Sequence, residues 1–194
     1  MIPASSAKAG CGRYAFDMEI RQALETMIGF FRREEIPFVV VGAVALHGYG
    51  LSRATYDLDF LVDLEDQPRV VDFLESQGYR TLHRSDGFSN HAHPLAARGA
   101  IDVLYVQGET RDQVFAGASE REVLPGVAAP VPRPEHLVAM KVHAMKNDPD
   151  RLLQEMSDIR FLMQVPGIER SEVREAFDKR GLLDRYEEIE RSLT

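Results

Sequence analysis

The chain has 194 residues, with 23 Lys and Arg against 31 Asp and Glu, so its formal net charge is −8. This length allows one sizeable core. No run of about 18 apolar residues occurs, which excludes a membrane-spanning helix, and no secretory signal is expected. Cys11 is the only cysteine, so an internal disulfide is excluded and a cytoplasmic location is expected. The acidic balance disfavours a broad electrostatic grip on nucleic acid.

The first part of the chain mixes helix and strand patterns. Residues 1–14 are small and aperiodic and predict a flexible N-terminal arm. Apolar residues recur at helical spacing from Phe16 to Phe31, which predicts an amphipathic helix. The β-branched segment that starts at Pro37 is typical of a buried strand, and a brief helix is expected over 43–49. Residues 56–63 (YDLDFLVD) alternate over most of their length, as a half-buried strand does.

The middle of the chain continues this mixture, and the last third changes character. The expected elements are a helix over 66–78, a strand region from Tyr79, a polar hairpin within 84–98, a strand over 99–106, a short helix over 109–119 and a Pro-interrupted edge strand over 123–132. From Pro134 only helices are expected, over 134–147, 150–163 and 171–194. The pattern predicts an α/β (α+β) sheet domain over 15–132 and a helical segment over 133–194.

Two acids on one predicted strand are the first residues that point to chemistry. Asp57 and Asp59 stand two apart, so their carboxylates share one face at a separation of about 6–7 Å. Like charges this close repel each other and raise each other's pKa unless a cation lies between them. A divalent cation such as Mg²⁺ takes carboxylate oxygens and leaves positions for phosphates. A solvated strand face would also explain the pair, so these two residues alone leave both interpretations open.

Asp102 and Gly42 strengthen the functional interpretation. Asp102 interrupts the apolar strand AIDVLYV, where a carboxylate without a partner would be costly to bury. If that strand lies beside strand 56–63, three carboxylates converge on one cation site. Gly42 and Ala43 follow an apolar strand and enter a short helix, so backbone N–H groups there would be able to approach a phosphate. For Gly42 alone, an ordinary strand-to-helix turn is the alternative.

The segment VVVGAVALHGYGLSRATYDLDFLVD resembles the signature of the nucleotidyltransferase superfamily, in which a small turn, a spacer and an acidic pair follow one another. The turn here is Gly42-Ala43, thirteen residues intervene, and Asp57–Asp59 closes the motif. More narrowly, the run is similar to AbiEii-type and related minimal nucleotidyltransferases, several of which are toxins of bacterial toxin–antitoxin pairs. The resemblance covers roughly residues 36–163. It implies a mixed β-sheet flanked by helices, with the C-terminal helical segment packing on the active site.

The resemblance also implies roles for the acids and for two residues of the helical segment. Asp57, Asp59 and Asp102 would hold one or two Mg²⁺ (or Mn²⁺) ions, and Asp102 would help to deprotonate the acceptor. Lys141 and Asp158 match a lysine and an aspartate that the family carries beside its active site. From helical spacing alone, Asp158 either pairs with Lys141 or lies on a solvated face.

A second group of residues is assigned to nucleotide binding. Gly42 and Ala43 would present their backbone to the phosphates, with Lys141 as a charge clamp. Ala43 departs from the Gly or Ser that is more common in the family, and it has no hydroxyl to offer a phosphate. Arg53 and Thr55 either contact phosphate or shape the turn before the acids. From the residues alone, Lys141 either extends along apolar surface or pairs with an acid.

Histidines offer a competing metal site. His91 and His93 share one face of an extended segment and are able to ligate zinc. No cysteine or third ligand lies nearby in the sequence, so a surface loop without metal is the favoured interpretation. His47 is expected to be a packed histidine rather than a catalytic base.

Together these features predict a Mg²⁺-dependent enzyme that moves a nucleoside monophosphate from an NTP to an acceptor. The acceptor would be tRNA or another RNA, a protein side chain or a small molecule, and the net charge of −8 weakens the case for RNA. As a toxin, the protein would have a cognate antitoxin as its partner. The alternatives are a catalytically silent member that acts by binding, and a small-molecule transferase that adenylylates a metabolite or an antibiotic.

Overall fold

The central sheet places the two acid-bearing strands side by side. A computed structural model describes the backbone of residues 8–193 and the side chains of residues 19–193. Five strands are joined in the order β1-β2-β5-β4-β3: β1 (Phe38–Val40), β2 (Asp57–Asp63), β3 (Arg80–Arg84), β4 (Phe88–Ala92) and β5 (Ala100–Val106). Strands β2 and β5 are parallel, and the other neighbours are antiparallel, so the sheet is mixed.

Helices flank this sheet and make up the C-terminal part of the described chain. They are α1 (Lys8–Arg33), α2 (Gly42–His47), α3 (Gln67–Ser76), α4 (Gly108–Ala116), α5 (Pro134–Asn147), α6 (Leu152–Leu162), α7 (Arg170–Asp178) and α8 (Leu183–Arg191). The predicted fold class, a mixed sheet flanked by helices with a helical C-terminal part, is confirmed. No helix in residues 8–193 combines the length and the hydropathy that crossing a bilayer would require.

The first helix packs on the face of the sheet opposite the acids. The ring of Phe31 on α1 stacks on that of Phe38 at 4.6 Å and meets the ring of Phe60 edge-on at 5.3 Å between centroids. Helix α1 therefore packs against the Phe60 face of β2. Since side chains alternate along a strand, Asp57 and Asp59 lie on the opposite face.

The segment expected to be one edge strand is instead a hairpin with its own small sheet. Strands β6 (Ser119–Leu124) and β7 (Val127–Val131) pair antiparallel. The reversal occurs at Pro125 and Gly126, and Gly126 has a φ of +74° that favours glycine. Its N–H also donates to Glu122 Oε1 at 2.7 Å. The edge-strand prediction was wrong because a Pro-Gly pair between two apolar runs indicates a turn.

The first helix begins earlier than the apolar spacing predicted. Helix α1 starts at Lys8, whereas the sequence predicted an arm through residue 14 and helical periodicity from Phe16. Residues 8–14 are small or polar and carry no amphipathic pattern, which is why the prediction placed them outside the helix. The rest of the predicted arm, residues 1–7, lies outside the described residues.

Candidate active site

Three carboxylates share one face of two neighbouring strands. Asp57 and Asp59 stand two apart on β2, and Asp59 pairs in register with Asp102 on the parallel strand β5. Paired residues of adjacent strands point to the same face and lie about 5 Å apart. Asp57 is exposed, while Asp59 and Asp102 are half-buried. The strand register therefore brings together the three acids that the sequence singled out.

The electrostatics of this face favour a bound cation. Burial, together with the carboxylates of Asp102 and Asp57, raises the pKa of Asp59 to about 6. Burial and the charge of Asp57 also raise the pKa of Asp102. The positive charge of Arg151 opposes both shifts, and Lys141 opposes the shift at Asp59. Ionising these neighbouring carboxylates therefore costs free energy, and a bound cation would reduce that cost.

Asn90 holds the third acid from the neighbouring strand. It lies opposite Asp102 in the antiparallel pairing of β4 with β5, and its Nδ2 donates to Asp102 Oδ1. This bond opposes the burial effect and lowers the pKa of Asp102. The sequence did not single out Asn90, because the register of a hairpin is not visible in local spacing. Asn90 shares its strand face with Phe88 and Ala92, which gives it no distinctive local signal.

Gly42 fits directly against one of the acids. Its φ is +62°, and a Cβ added to it would overlap the Oδ2 atom of Asp59. The preceding residue, Val41, donates its N–H to the carbonyl oxygen of Asp59 at 2.9 Å. The turn from β1 into α2 is thereby fixed on the acid-bearing strand. A glycine is required here because any other residue would displace the carboxylate.

Lys141 is buried and paired with two carboxylates. Its Nζ lies 2.9 Å from Glu155 Oε2 and 2.6 Å from Asp158 Oδ2, across helices α5 and α6. Only 6% of the residue is exposed, and the two acids are fully or almost fully buried. Of the two interpretations left open by the sequence, pairing with an acid is the one that the structure supports. Glu155 was not anticipated.

Arg53 and Thr55 both belong to the loop that leads into the acid strand. Arg53 Nη2 lies 3.3 Å from Asp158 Oδ2, which ties this loop to α6. Its N–H donates to His47 Nε2 at 3.3 Å. Thr55 Oγ1 donates to the carbonyl oxygen of Asp57 at 3.1 Å and accepts its N–H at 3.3 Å. Thr55 therefore shapes the turn, while Arg53 joins the charged cluster on the helices.

The two histidines considered as zinc ligands have separate surroundings. His91 is fully buried, with Nε2 2.8 Å from Ser89 Oγ and Nδ1 3.2 Å from Thr81 Oγ1. Burial lowers its pKa. His93 Nδ1 instead accepts the N–H of Leu95 at 3.0 Å. The expectation of a surface loop was wrong for His91, which lies on strand β4.

The family resemblance implies a divalent cation, and the three acids are suited to one. They offer hard oxygen donors, and burial together with repulsion from Asp102 and Asp57 raises the pKa of Asp59, which a bound cation would oppose. Among the described side chains, no group of three or more His, Cys, Asp or Glu is placed so that it could hold a metal ion by itself, and the three acids are no exception. Mg²⁺ is commonly held by one or two carboxylates together with substrate phosphates and water. One or two of the acids, completed by substrate phosphates and water, would suit that ion, and the ligand assignment stays a prediction.

Two cavities lie away from the acids. One of about 80 Å³ is lined by residues of α1 and α3 and by Ile101, whose side chain lies on the opposite face of β5 from Asp102. The other, about 310 Å³, is an open depression between His47 and the turn of the β6–β7 hairpin. The candidate active site is therefore the acidic face itself rather than either cavity.

Comparison with known families identifies a match over nearly the whole chain. A family model described as "Uncharacterised nucleotidyltransferase" matches residues 14–189. No curated protein sequence is similar enough to match. The motif found in the sequence and the family model thus point to the same superfamily, although the narrower AbiEii-type assignment is not tested by this match.

Several solved structures share the fold at low sequence identity. Lincosamide antibiotic adenylyltransferase LnuA, with lincomycin bound, is 15% identical over 74% of this chain and 96% of its own, with a TM-score of 0.55. ANT(2″)-Ia in complex with adenylyl-2″-tobramycin is 16% identical over 88% and 99%, with a TM-score of 0.62. An antigenic nucleotidyltransferase-like protein from Paracoccidioides brasiliensis is 11% identical over 90% and 92%, with a TM-score of 0.56. At these identities the likeness establishes the fold alone.

Proposed function

The chain belongs to the nucleotidyltransferase family whose model covers residues 14–189, and from this membership we propose a reaction and its residues. A nucleoside monophosphate is transferred from an NTP to an acceptor. The acceptor oxygen forms a bond to the α-phosphorus, the bond from that phosphorus to the bridging oxygen breaks, and pyrophosphate leaves with the electron pair. The observation that carries the proposal is the register pairing of Asp59 with Asp102, with Asp57 on the same face.

The three acids divide two tasks between them. Asp57 and Asp59, with Asp102, would hold Mg²⁺ or Mn²⁺, and the bound ion would neutralise charge on the phosphates. Asp102 also accepts the proton of the acceptor hydroxyl, since an ionised carboxylate is able to act as a general base. Asn90 holds one oxygen of Asp102 and leaves the other free for this role.

Nucleotide binding is assigned to the turn and the loop around the acids. Gly42 and Ala43 present backbone to the phosphates at the start of α2. Arg53 supplies positive charge from the loop before β2, and Thr55 fixes the turn that presents Asp57. Lys141, paired with Asp158, acts by its charge on the acids, since it lowers the pKa of Asp59.

The acceptor we favour is a small polar molecule, so that the protein is a small-molecule adenylyltransferase. One structural neighbour, LnuA, is described as a lincosamide antibiotic adenylyltransferase. Another, ANT(2″)-Ia, is described in complex with adenylyl-2″-tobramycin. The net charge of −8 is no obstacle to such an acceptor and disfavours RNA. An RNA or protein acceptor, with the protein acting as a cytoplasmic toxin held by a cognate antitoxin, is the second candidate, and the AbiEii-like motif supports it.

The deciding experiment supplies donors and acceptors separately. The protein is incubated with each α-labelled NTP and Mg²⁺, in the presence of pooled tRNA, a protein extract or a small-molecule extract containing aminoglycosides and lincosamides. Label in the small-molecule fraction supports the favoured acceptor, and label on RNA or protein supports the second candidate.

Asp57→Asn and Asp59→Asn are the controls, each expected to lower transfer by about 10²–10³-fold, as removal of a group that stabilises transition-state charge does. If no fraction is labelled and both variants behave like the wild type, the protein is a silent member that acts by binding.

A further inference from the structure

Five charged residues alternate in sign along one continuous chain of ion pairs. Arg151 Nη2 lies 2.5 Å from Glu155 Oε1, and Glu155 Oε2 lies 2.9 Å from Lys141 Nζ. Lys141 then contacts Asp158 at 2.6 Å, and Asp158 contacts Arg53 at 3.3 Å. The three central residues are buried, while an arginine stands at each end.

The centre of this chain is closed to a ligand. Lys141 uses donors on both carboxylates and has only 6% of its surface exposed. Taking one of its partners away would leave a buried charge uncompensated, which is costly. A phosphate that reached Lys141 would have to displace one of two buried acids. A positively charged side chain that binds phosphate is therefore expected at one end of this series of ion pairs, and not at Lys141 in its centre.

Arg151 is the more exposed end of this series of ion pairs, and it has donors to spare. Its side chain is 55% exposed, and among the described residues its one ion pair is with Glu155. A guanidinium carries five N–H donors in a planar fork, so most of them remain for a ligand. The ion pairs lead from Arg151 through to Arg53, which stands four residues before Asp57, so this series of charges reaches the loop that enters the acid strand. The charge of Arg151 also lowers the pKa of Asp59 and of Asp102.

We propose that Arg151 binds the phosphates of the nucleotide directly, with Glu155 orienting its guanidinium from the buried side. The inference rests on the nucleotidyl transfer proposed above, and it adds a residue that the sequence motif does not contain. A bidentate arginine matches the geometry of a phosphate better than a lysine does. The buried Lys141 then has a positioning role, because it holds Glu155 in place.

The test measures binding of sodium tripolyphosphate, which carries the group common to all NTPs, by titration calorimetry with Mg²⁺ present. Arg151→Gln keeps a polar side chain but loses the charge, and we expect about tenfold weaker binding, as for a lost hydrogen bond between charged groups. Arg151→Lys restores charge without the fork and is expected to recover only part of the affinity. Arg111→Gln is the matched control, since Arg111 pairs with Asp63 and Asp112 elsewhere.

The outcomes separate this inference from the proposed function. Weaker binding by Arg151→Gln alone, with an unchanged thermal unfolding midpoint, supports the inference. Equal binding by Arg151→Gln, Arg111→Gln and the wild type overturns it and leaves nucleotidyl transfer standing. A folded wild type that binds neither tripolyphosphate nor any NTP overturns both. If Lys141→Gln lost affinity for tripolyphosphate and Arg151→Gln did not, the result would overturn the inference and identify Lys141 as the phosphate-binding residue.

Discussion

The carboxylate of Asp59 lies against the Cα atom of Gly42, so that the space a side chain would need at residue 42 is already filled by Oδ2 of the acid. Gly42 and Asp59 thus pack against each other, although helix α2 and the loop that carries Arg53 separate them in the sequence. This contact gives the glycine of the motif a physical reason that does not depend on phosphate.

Replacing Gly42 with Ala is expected to abolish most transfer activity. The new Cβ would push the Asp59 carboxylate from its place, and the φ of +62° would strain the backbone by about 1–2 kcal/mol. Gly181→Ala is the matched control, because Gly181 has a φ of +68° and open space around it. Both variants should lose the stability that backbone strain costs, and Gly42→Ala should lose more in thermal unfolding because its Cβ also overlaps Asp59. If Gly181→Ala lost as much activity as Gly42→Ala, strain alone would account for the effect.

Stability without divalent cations is expected to depend on the ionisation of Asp59. Because the folded protein raises the pKa of Asp59 from its ordinary value to about 6, the folded state binds this proton more tightly than the unfolded state. The free energy of unfolding therefore falls as pH rises from about 4 to about 6, and the deficit remains above that range. Asp59→Asn should be more stable than the wild type at pH 8 and similar at pH 4.

Denaturant titrations at both pH values measure this difference. A wild type and an Asp59→Asn variant that differ equally at pH 4 and pH 8 would contradict the prediction. Asp63→Asn is a useful comparison on the same strand, since hydrogen bonds from Glu65 and Arg111 lower the pKa of Asp63. Asp63→Asn should be less stable than the wild type at both pH values, because the contribution of Asp63 is lost only as the pH falls below about 4.

Adding Mg²⁺ is expected to stabilise the wild type at pH 8. A cation between the acids would favour their charged forms, and a ligand that binds only the folded state raises its stability by mass action. The thermal unfolding midpoint of the wild type should rise with Mg²⁺ concentration, and EDTA should reverse the change. The Asp57→Asn/Asp59→Asn double variant should not respond. An equal response in both proteins would place the cation elsewhere.

Replacing Lys141 with Met is expected to destabilise the fold by about 3–5 kcal/mol, because Glu155 and Asp158 lose their shared buried partner. Lys146→Met on the same helix is the control, since Lys146 is exposed and such surface changes usually lie within about 0.5 kcal/mol. Denaturant unfolding of both variants measures the difference. A Lys141→Met protein as stable as Lys146→Met would mean that the buried ion pairs contribute little.

Local spacing predicted the acids and the glycine because the motif that contains them is short. Asp57 and Asp59 are two residues apart, and Gly42 precedes them at a fixed interval, so one segment of sequence carries the pattern. Asp102 was predicted to be functional because it interrupts an otherwise apolar strand, where a carboxylate without a partner is costly to bury. The roles of these residues remain predictions; the structure shows that Asp59 is paired in register with Asp102 and lies against Gly42.

The partners of these residues could not be predicted in the same way. Asn90 reaches Asp102 through the register of a hairpin, and Glu155 reaches Lys141 between two helices. Such contacts depend on how elements pack, and a glutamate or asparagine on a helix or strand has no distinctive local signal. Arg151 was missed for the same reason, since its neighbours come from different parts of the chain.

The candidate site depends on the register in which the parallel strands β2 and β5 pair. A shift of β5 by a single residue would turn Asp102 into the core and bring Val103 out beside Asp59. A protein misassembled in this way would keep its helix and strand content, and its circular dichroism would resemble that of the native state. Such a protein would have no catalytic activity. The specific activity of a refolded sample therefore measures the fraction of molecules with the correct register, whereas circular dichroism does not.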